Sequence, residues 1–234
     1  MPLLDPLFDS GLLWQGAAPR VSSCESLATG YAVLDKALDG GWRRQEVTEL
    51  LLPRLGIGEV QLLLPAMAAL ASVDKFQLWI APPMVPYAPG LLQACLPVEQ
   101  QLVIAGVEDM SAQLWSAEQA LSSGACSVVL LWLLDPAQQP QTSQLRRLQL
   151  AAERGQTPLF LFRPQWIRQQ AVRDLSSPAP TRLWLESHSN SQLLVELFKR
   201  RGGWPLSPFP LSLADKFSLP AAETDSVIVG PWRA

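Results

Sequence analysis

The chain has 234 residues, 48% of them apolar and 17% charged, with a formal net charge of −3. This apolar content is enough to fill one core and excludes a chain that is disordered throughout. The longest apolar run, residues 128–134, is far short of the ~20 residues that a membrane-spanning helix needs. Asp5 and Asp9 stand where a secretory leader has basic residues. We therefore expect a cytoplasmic protein that does not contact a membrane.

In chain order, short apolar runs typical of strands alternate with segments of helical period. The predicted strands are 47–51, 76–81, 101–105, 127–133, 158–162, 181–186 and 193–198, and the predicted helices are 59–72, 88–95, 111–122 and 142–154. Strands that are apolar on both faces and separated by helices indicate an α/β fold with a mainly parallel sheet flanked by helices. No helix separates the last two strands, which predicts a C-terminal antiparallel hairpin that extends the sheet.

The ends of the chain differ from its middle. We expect an N-terminal arm at 1–26, a core domain at 27–206 and a C-terminal tail at 207–234, because both ends are rich in Pro and Ser. In the N-terminal arm, an apolar set that one helix face could present forms a candidate partner anchor: Leu7, Phe8, Leu12 and Trp14. The alternative is that this segment folds back on its own sheet.

Residues 47–60 have the order of a nucleotide site, with a buried strand, a tight turn and a helix start. A working phosphate loop needs a lysine for the β and γ oxygens and a Ser or Thr hydroxyl for magnesium. Gly58 and Glu59 hold those positions here, behind Gly56. A carboxylate near a helix N-terminus would repel a triphosphate. We therefore expect a degenerate nucleotide loop, no ATP cofactor and no metal.

Cysteines and arginines provide weaker signals. Cys24, Cys95 and Cys126 lack the paired spacing of a zinc site, so we expect buried, reduced thiols. Residues 1–140 carry a net charge of −8 and residues 141–234 a net charge of +5. On the predicted helix 142–154, Arg146, Arg147 and Arg154 face away from its apolar side and form a candidate DNA face; an ordinary solvated surface is the alternative.

Residues 28–42, with Thr29-Gly30, Leu34-Asp35 and Gly40-Gly41, resemble the lead-in of RecA recombinases. Within that superfamily the chain is most similar to the ImuA family of RecA-like accessory proteins, and the motifs that carry this resemblance are 48–51, 56–59, 81–83, 86–89, 145–153 and 199–203. The resemblance implies a RecA-like core over about residues 27–206. It departs from an active RecA at Trp132, where the metal-binding aspartate is expected, and at Ala81-Pro82-Pro83, where the water-activating carboxylate is expected.

The resemblance to ImuA implies a non-catalytic adaptor in SOS-induced translesion synthesis. Its implied partners are an ImuB-like protein, through it an error-prone polymerase subunit of the replicative type, and RecA; direct DNA contact and a homo-oligomer are further expectations. One alternative is a SulA-like cell-division inhibitor that binds the tubulin-like protein FtsZ, since SulA shares the degenerate core. Another is a residual NTPase. The basic C-terminal part, with Lys199-Arg200-Arg201, favours ImuA over SulA.

The resemblance also implies a role for this basic stretch. In RecA filaments two basic residues near the end of the corresponding strand reach the neighbouring subunit's ATP, and Lys199 and Arg201 match their spacing. We therefore expect Lys199, Arg200 and Arg201 to make contacts across an interface or with phosphate. A solvated strand end is the alternative.

Overall fold

The computed structural model describes residues 26–71, 74–135, 137–164, 177–189 and 191–213. Its strands are β1 Ser26–Leu27, β2 Trp42–Arg43, β3 Val47–Leu52, β4 Phe76–Ile80, β5 Gln101–Ile104, β6 Cys126–Trp132, β7 Leu159–Pro164, β8 Thr181–Ser189, β9 Gln192–Lys199 and β10 Leu206–Ser212. Its helices are α1 Ala32–Ala37, α2 Leu64–Leu70, α3 Ala88–Gln93, α4 Met110–Ser123 and α5 Thr142–Gly155, and a 3-10 turn lies at Val98–Gln100.

Within these residues, eight strands form one sheet in the order β10-β9-β8-β3-β7-β6-β4-β5, and β1 and β2 form a separate antiparallel pair. The six strands from β8 to β5 in this order are parallel, whereas β9 and β10 are antiparallel to their neighbours. The prediction of an α/β fold with a mainly parallel sheet, flanking helices and a C-terminal antiparallel hairpin is confirmed.

The central strands are covered on both faces, which explains why their sequences are apolar at nearly every position. Every residue of β3 and β6 is buried. On one face Val129 and Leu131 pack with α4 and α5, and on the other Leu130 and Trp132 pack with α1, α2 and α3. Alternate residues of one strand therefore enter different cores.

Two of the differences from the sequence prediction have a clear physical reason. Strand β10 continues the sheet beyond residue 206, where we expected the core to end. Pro208 and Pro210 hide this strand in the sequence, but an edge strand accepts residues that lack a backbone N–H. Helix α2 begins at Leu64 instead of residue 59, with Pro65 in its first turn, where the missing N–H leaves no helical hydrogen bond unmade.

The described residues contain no helix that is both long and apolar enough to cross a membrane, and no cluster of His, Cys, Asp and Glu that would hold a metal ion. Cys126 is buried on β6 as expected. Cys95 is exposed, against expectation, because it lies beyond the end of α3 in a left-handed turn with φ 59°. Cys24 lies outside the described residues.

Helices α4 and α5 approach each other closely at Gly155, since a Cβ placed there would lie 1.7 Å from the backbone oxygen of Leu121. We expect Gly155→Ala to destabilise the fold by about 3 kcal/mol, because one of the two helix backbones must shift. Gly90→Ala is the control, since its Cβ would lie an acceptable 3.4 Å from a Tyr87 ring carbon. Better helix propensity should make that change neutral or stabilising by up to about 1 kcal/mol. Urea unfolding measures both, and equal effects would contradict the proposed helix contact.

Candidate functional site

The degenerate nucleotide loop follows β3 at the carboxyl edge of the parallel sheet. This edge is where open α/β sheets usually bind their ligands. Gly56 and Gly58 have φ values of 74° and 104°, which a residue with a Cβ rarely adopts. The turn therefore bends sharply at two positions that favour glycine.

The carboxylate of Glu59 fills this loop. Its Oε1 accepts a hydrogen bond from the N–H of Gly56 at 3.0 Å, and its Oε2 accepts from the N–H groups of Ile57 at 2.9 Å and Gly58 at 3.1 Å. The residue is 5% exposed. Successive N–H groups that converge in this way form an anion site, and the chain supplies the anion itself. The sequence predicts that the charge of Glu59 repels phosphate. In the structure Glu59 also accepts the hydrogen bonds from the loop N–H groups that a phosphate would need.

The two positions where a RecA-type ATPase needs carboxylates are apolar. Trp132 ends β6 and stacks on Phe162 at 4.3 Å between ring centroids and on Trp79 at 5.7 Å. Ala81, Pro82 and Pro83 follow β4. Neither group offers a ligand for Mg²⁺ or a base for water.

A cleft of about 630 Å³ lies beside the closed loop, and we call it the apolar cleft. It is lined by Leu55, Gly56, Gly58, Glu59, Val60, Gln61, Leu64, Trp79, Pro82, Pro83, Met84, Val85, Pro86, Tyr87, Gly90, Leu91, Gln93, Ala94 and Trp132. Met84, Val85 and Tyr87 are 78%, 73% and 76% exposed, and Leu55 is 40% exposed. Such a concentration of exposed apolar side chains is typical of an interaction surface.

Most of these residues were not predicted to have a role. A signal was present, because Met84, Val85 and Tyr87 stand among the prolines at 82, 83, 86 and 89. Large apolar side chains in a proline-rich connection have no helix or strand face on which to be buried. This contrast with ordinary polar loops would have indicated a surface apolar patch.

A buried ionic cluster, also missed, lies in the middle of the sheet. Glu49 on β3 is fully buried and accepts a hydrogen bond from Arg182 Nε at 2.7 Å. Arg163 Nη1 lies 3.5 Å from the same carboxylate, and the Ser177 hydroxyl donates to it. Arg163 also donates to the side-chain oxygen of Gln139 at 2.8 Å. Burial lowers the pKa of Arg163, and the negative charge of Glu49 opposes that change.

Lys199, a predicted interface cation, lies at the edge of this cluster. Its Nζ donates to the backbone oxygen of Ser177 at 2.7 Å. Burial lowers the pKa of the Lys199 ammonium, Arg182 lowers it further, and Glu49 partly offsets both. The structure therefore places this side chain in an intramolecular contact.

The other two cations of the basic stretch point elsewhere. Arg200 pairs with Asp39 at 3.2 Å, and Arg201 pairs with the buried carboxylate of Glu46. Burial raises the pKa of Glu46, and the Arg201 guanidinium partly offsets this. Each of the three cations therefore has partners within the same chain.

The candidate DNA face lies on α5. Leu145, Leu148 and Ala152 are buried there, as the predicted helix face requires, and Arg146, Arg147 and Arg154 are exposed. Arg147 forms an ion pair with Glu118 of α4, which neutralises one of the three charges. The candidate anchor formed by Leu7, Phe8, Leu12 and Trp14 lies outside the described residues.

Comparison with known proteins points to one family. The family model described as cell division inhibitor SulA matches residues 48–158. The Serratia marcescens protein named cell division inhibitor SulA is 31% identical over 132 residues, which make up 56% of this chain and 74% of that protein. Its namesake from Serratia proteamaculans is 32% identical over 139 residues, 58% of this chain and 80% of the relative. The Klebsiella aerogenes protein of the same name is 31% identical over 129 residues, 55% and 70% of the two chains.

These matches overturn the prediction of an ImuA-type adaptor in translesion synthesis, and the SulA alternative is the better supported one. Five of the six motifs that carried the ImuA resemblance lie within the matched residues 48–158, so they do not favour ImuA over SulA. The feature that we used to separate them, Lys199-Arg200-Arg201, lies outside the matched residues 48–158.

Glu59→Gln should destabilise the protein by about 1–3 kcal/mol, because the amide has one acceptor oxygen and would turn its NH₂ group toward at least one loop N–H. Glu118→Gln is the control, since it removes a carboxylate from an exposed ion pair. We expect that control to cost no more than about 1 kcal/mol. Urea unfolding at neutral pH compares them, and equal costs would contradict the closed loop.

Glu49→Gln should destabilise the protein by about 3–5 kcal/mol, because it leaves two buried guanidinium groups without their carboxylate. When Glu49→Gln is combined with Arg182→Met, the loss should be smaller than the sum of the two single losses. The same cycle on Glu118 and Arg147 provides an exposed pair for comparison. Additive effects at Glu49 and Arg182 would show that the buried pair is not coupled.

Proposed function

The chain belongs to the SulA family, and we propose that it inhibits cell division by binding a division protein, without turning over a nucleotide. The proposed target is FtsZ, the partner that the SulA resemblance implied from the sequence. We place this activity in the SOS response, in the cytoplasm. The observation that carries the proposal is the loop filled by Glu59. The Glu59 carboxylate lies where a nucleotide phosphate would bind, so this edge of the sheet is better suited to binding a protein than to turning over a nucleotide.

The residues at three further positions also support a non-enzymatic role. Each group that an ATPase requires is missing from its place: the loop lysine at Gly58, the metal ligand at Trp132 and the general base at Ala81. We propose that the fold is a RecA-like domain that has lost nucleotide chemistry. A mainly parallel sheet with a phosphate-loop turn after β3 supports that origin.

We propose the apolar cleft and its rim as the surface that binds FtsZ. The cleft lies at the edge of the sheet where an ATPase would hold its nucleotide. Its exposed side chains Met84, Val85 and Tyr87 fall within residues 48–158, the part shared with the family. A surface that serves a shared function is expected in the shared part of the chain. Large apolar and aromatic side chains also contribute most of the binding energy in typical interfaces.

The purified chain should slow GTP-driven assembly of FtsZ, measured by light scattering and by sedimentation. Val85→Asp and Tyr87→Asp should each raise the concentration needed for half inhibition at least tenfold, which corresponds to about 1.4 kcal/mol of binding free energy. Trp115→Asp is the matched control, because Trp115 is an apolar side chain on α4 that is 62% exposed and does not line the cleft.

Two outcomes would contradict this proposal. If the wild-type chain leaves FtsZ assembly unchanged, the function is wrong. If all three aspartate variants inhibit as well as the wild type, the binding surface is not the apolar cleft. Circular dichroism and thermal unfolding of each variant establish that it is folded before it is compared.

A further inference from the structure

Exposed apolar side chains are concentrated at the apolar cleft. Met84, Val85 and Tyr87 are each more than 70% exposed, and Leu55 adds to the same surface. Trp132 also lines the cleft, and its indole N–H has no hydrogen-bond acceptor among the described residues. Because the Trp132 nitrogen is itself buried, an occupant of the cleft would cover the exposed apolar side chains, and apolar side chains are suited to that contact.

We propose that the chain's own N-terminal segment, residues 3–14, occupies the apolar cleft in cis. That segment lies outside the described residues, and seven of its twelve positions are large apolar residues: Leu3, Leu4, Leu7, Phe8, Leu12, Leu13 and Trp14. Contact between this apolar segment and the exposed apolar cleft would remove apolar surface of both from water, which is favourable.

The connection to the cleft is short. Tyr31 donates its hydroxyl hydrogen to the backbone oxygen of Gln61 at 3.3 Å, and Gln61 lines the cleft. The described residues begin at Ser26, five residues before Tyr31. Five fully extended residues and the length of the Tyr31 side chain together place Ser26 within roughly 30 Å of Gln61. The twelve-residue connection from Trp14 to Ser26 spans up to about 40 Å. A tethered segment of this kind reaches millimolar effective concentration.

The charge of this occupant has to be set against Glu59, the one charged residue among the described residues that line the cleft. The segment carries Asp5 and Asp9 and no basic residue between positions 3 and 14. Arg54 is exposed and precedes Leu55, which lines the cleft. The carboxylate of Glu59 is already held by three backbone N–H groups, which offset its charge toward an acidic segment.

This inference rests on the proposed function in one respect: if FtsZ binds the same cleft, the N-terminal segment competes with it. FtsZ would then have to displace the segment before it binds. The apparent affinity of the chain for FtsZ would therefore be lower than that of a chain whose cleft is open. The docking itself does not depend on FtsZ.

The test uses the full chain with a photo-crosslinking phenylalanine analogue at position 8, irradiated alone and analysed by peptide mass spectrometry. We expect crosslinks within one molecule to residues 82–91, with a yield that does not change when the protein is diluted tenfold. Tyr87→Asp should reduce this yield at least fivefold, and Trp115→Asp should leave it unchanged.

Crosslinks to other parts of the chain would overturn the proposal, as would their absence. A yield that falls on dilution would also overturn it, because the occupant would then be a second copy of the chain. In a second measurement, Leu7→Asp combined with Phe8→Asp should lower the concentration for half inhibition of FtsZ assembly about threefold to tenfold. If the crosslink forms but the wild type does not affect FtsZ, the docking stands and the proposed function fails. If FtsZ is inhibited but the crosslink is absent, the docking fails alone.

Discussion

The hydrogen bonds of Glu59 determine what the carboxyl edge of the sheet can bind. A phosphate loop works because several backbone N–H groups converge on a site that is empty until an anion arrives. In this chain the anion is attached to the loop, so it is always present, and a free phosphate would have to displace it. The three N–H groups that could bind an anion are used instead to hold the turn.

Neighbouring contacts reinforce this change. A Cβ at Gly58 would lie 2.5 Å from a methyl carbon of Leu213, and the φ of 104° disfavours any side chain there. The lysine of a working phosphate loop would therefore need the Leu213 side chain to move and would occupy a disfavoured backbone conformation. The stacked rings of Trp132, Phe162 and Trp79 occupy the region next to the loop. The site has become apolar where an ATPase must be charged, and such a surface suits a protein or peptide better than a triphosphate.

Much of the fold was predictable because its strands are buried on both faces. The apolar runs of β3 and β6 and the helical periods of α4 and α5 indicated a parallel α/β sheet to within a residue or two. Strand β10 was not predictable, since its prolines argue against a strand unless it is known to lie at an edge. Sequence patterns describe each element's own faces, whereas edge position is a property of the whole sheet.

The site was predictable only in what it lacks. Gly58 and Glu59 exclude a working phosphate loop on inspection, but the direction of the Glu59 carboxylate depends on three amides that converge only in the folded turn. Likewise, Glu49 and Arg182 are 133 residues apart, and only the register of β3 on β8 brings them together. Buried charges in predicted strands indicate that partners exist without indicating which residues they are.

This pairing also bears on how much of the chain the functional unit needs. The family match covers residues 48–158, which include Glu49 but neither Arg163 nor Arg182. Without β7 and β8, β3 would lose both of its neighbouring strands, and Glu49 would lose both of its cations. Gln61, beside the closed loop, similarly donates to the backbone oxygen of Leu213 after β10. The shared segment therefore depends on β7, β8 and the chain after β10 for its charge balance and for the position of its loop, and a fragment limited to the matched residues should not keep the apolar cleft intact.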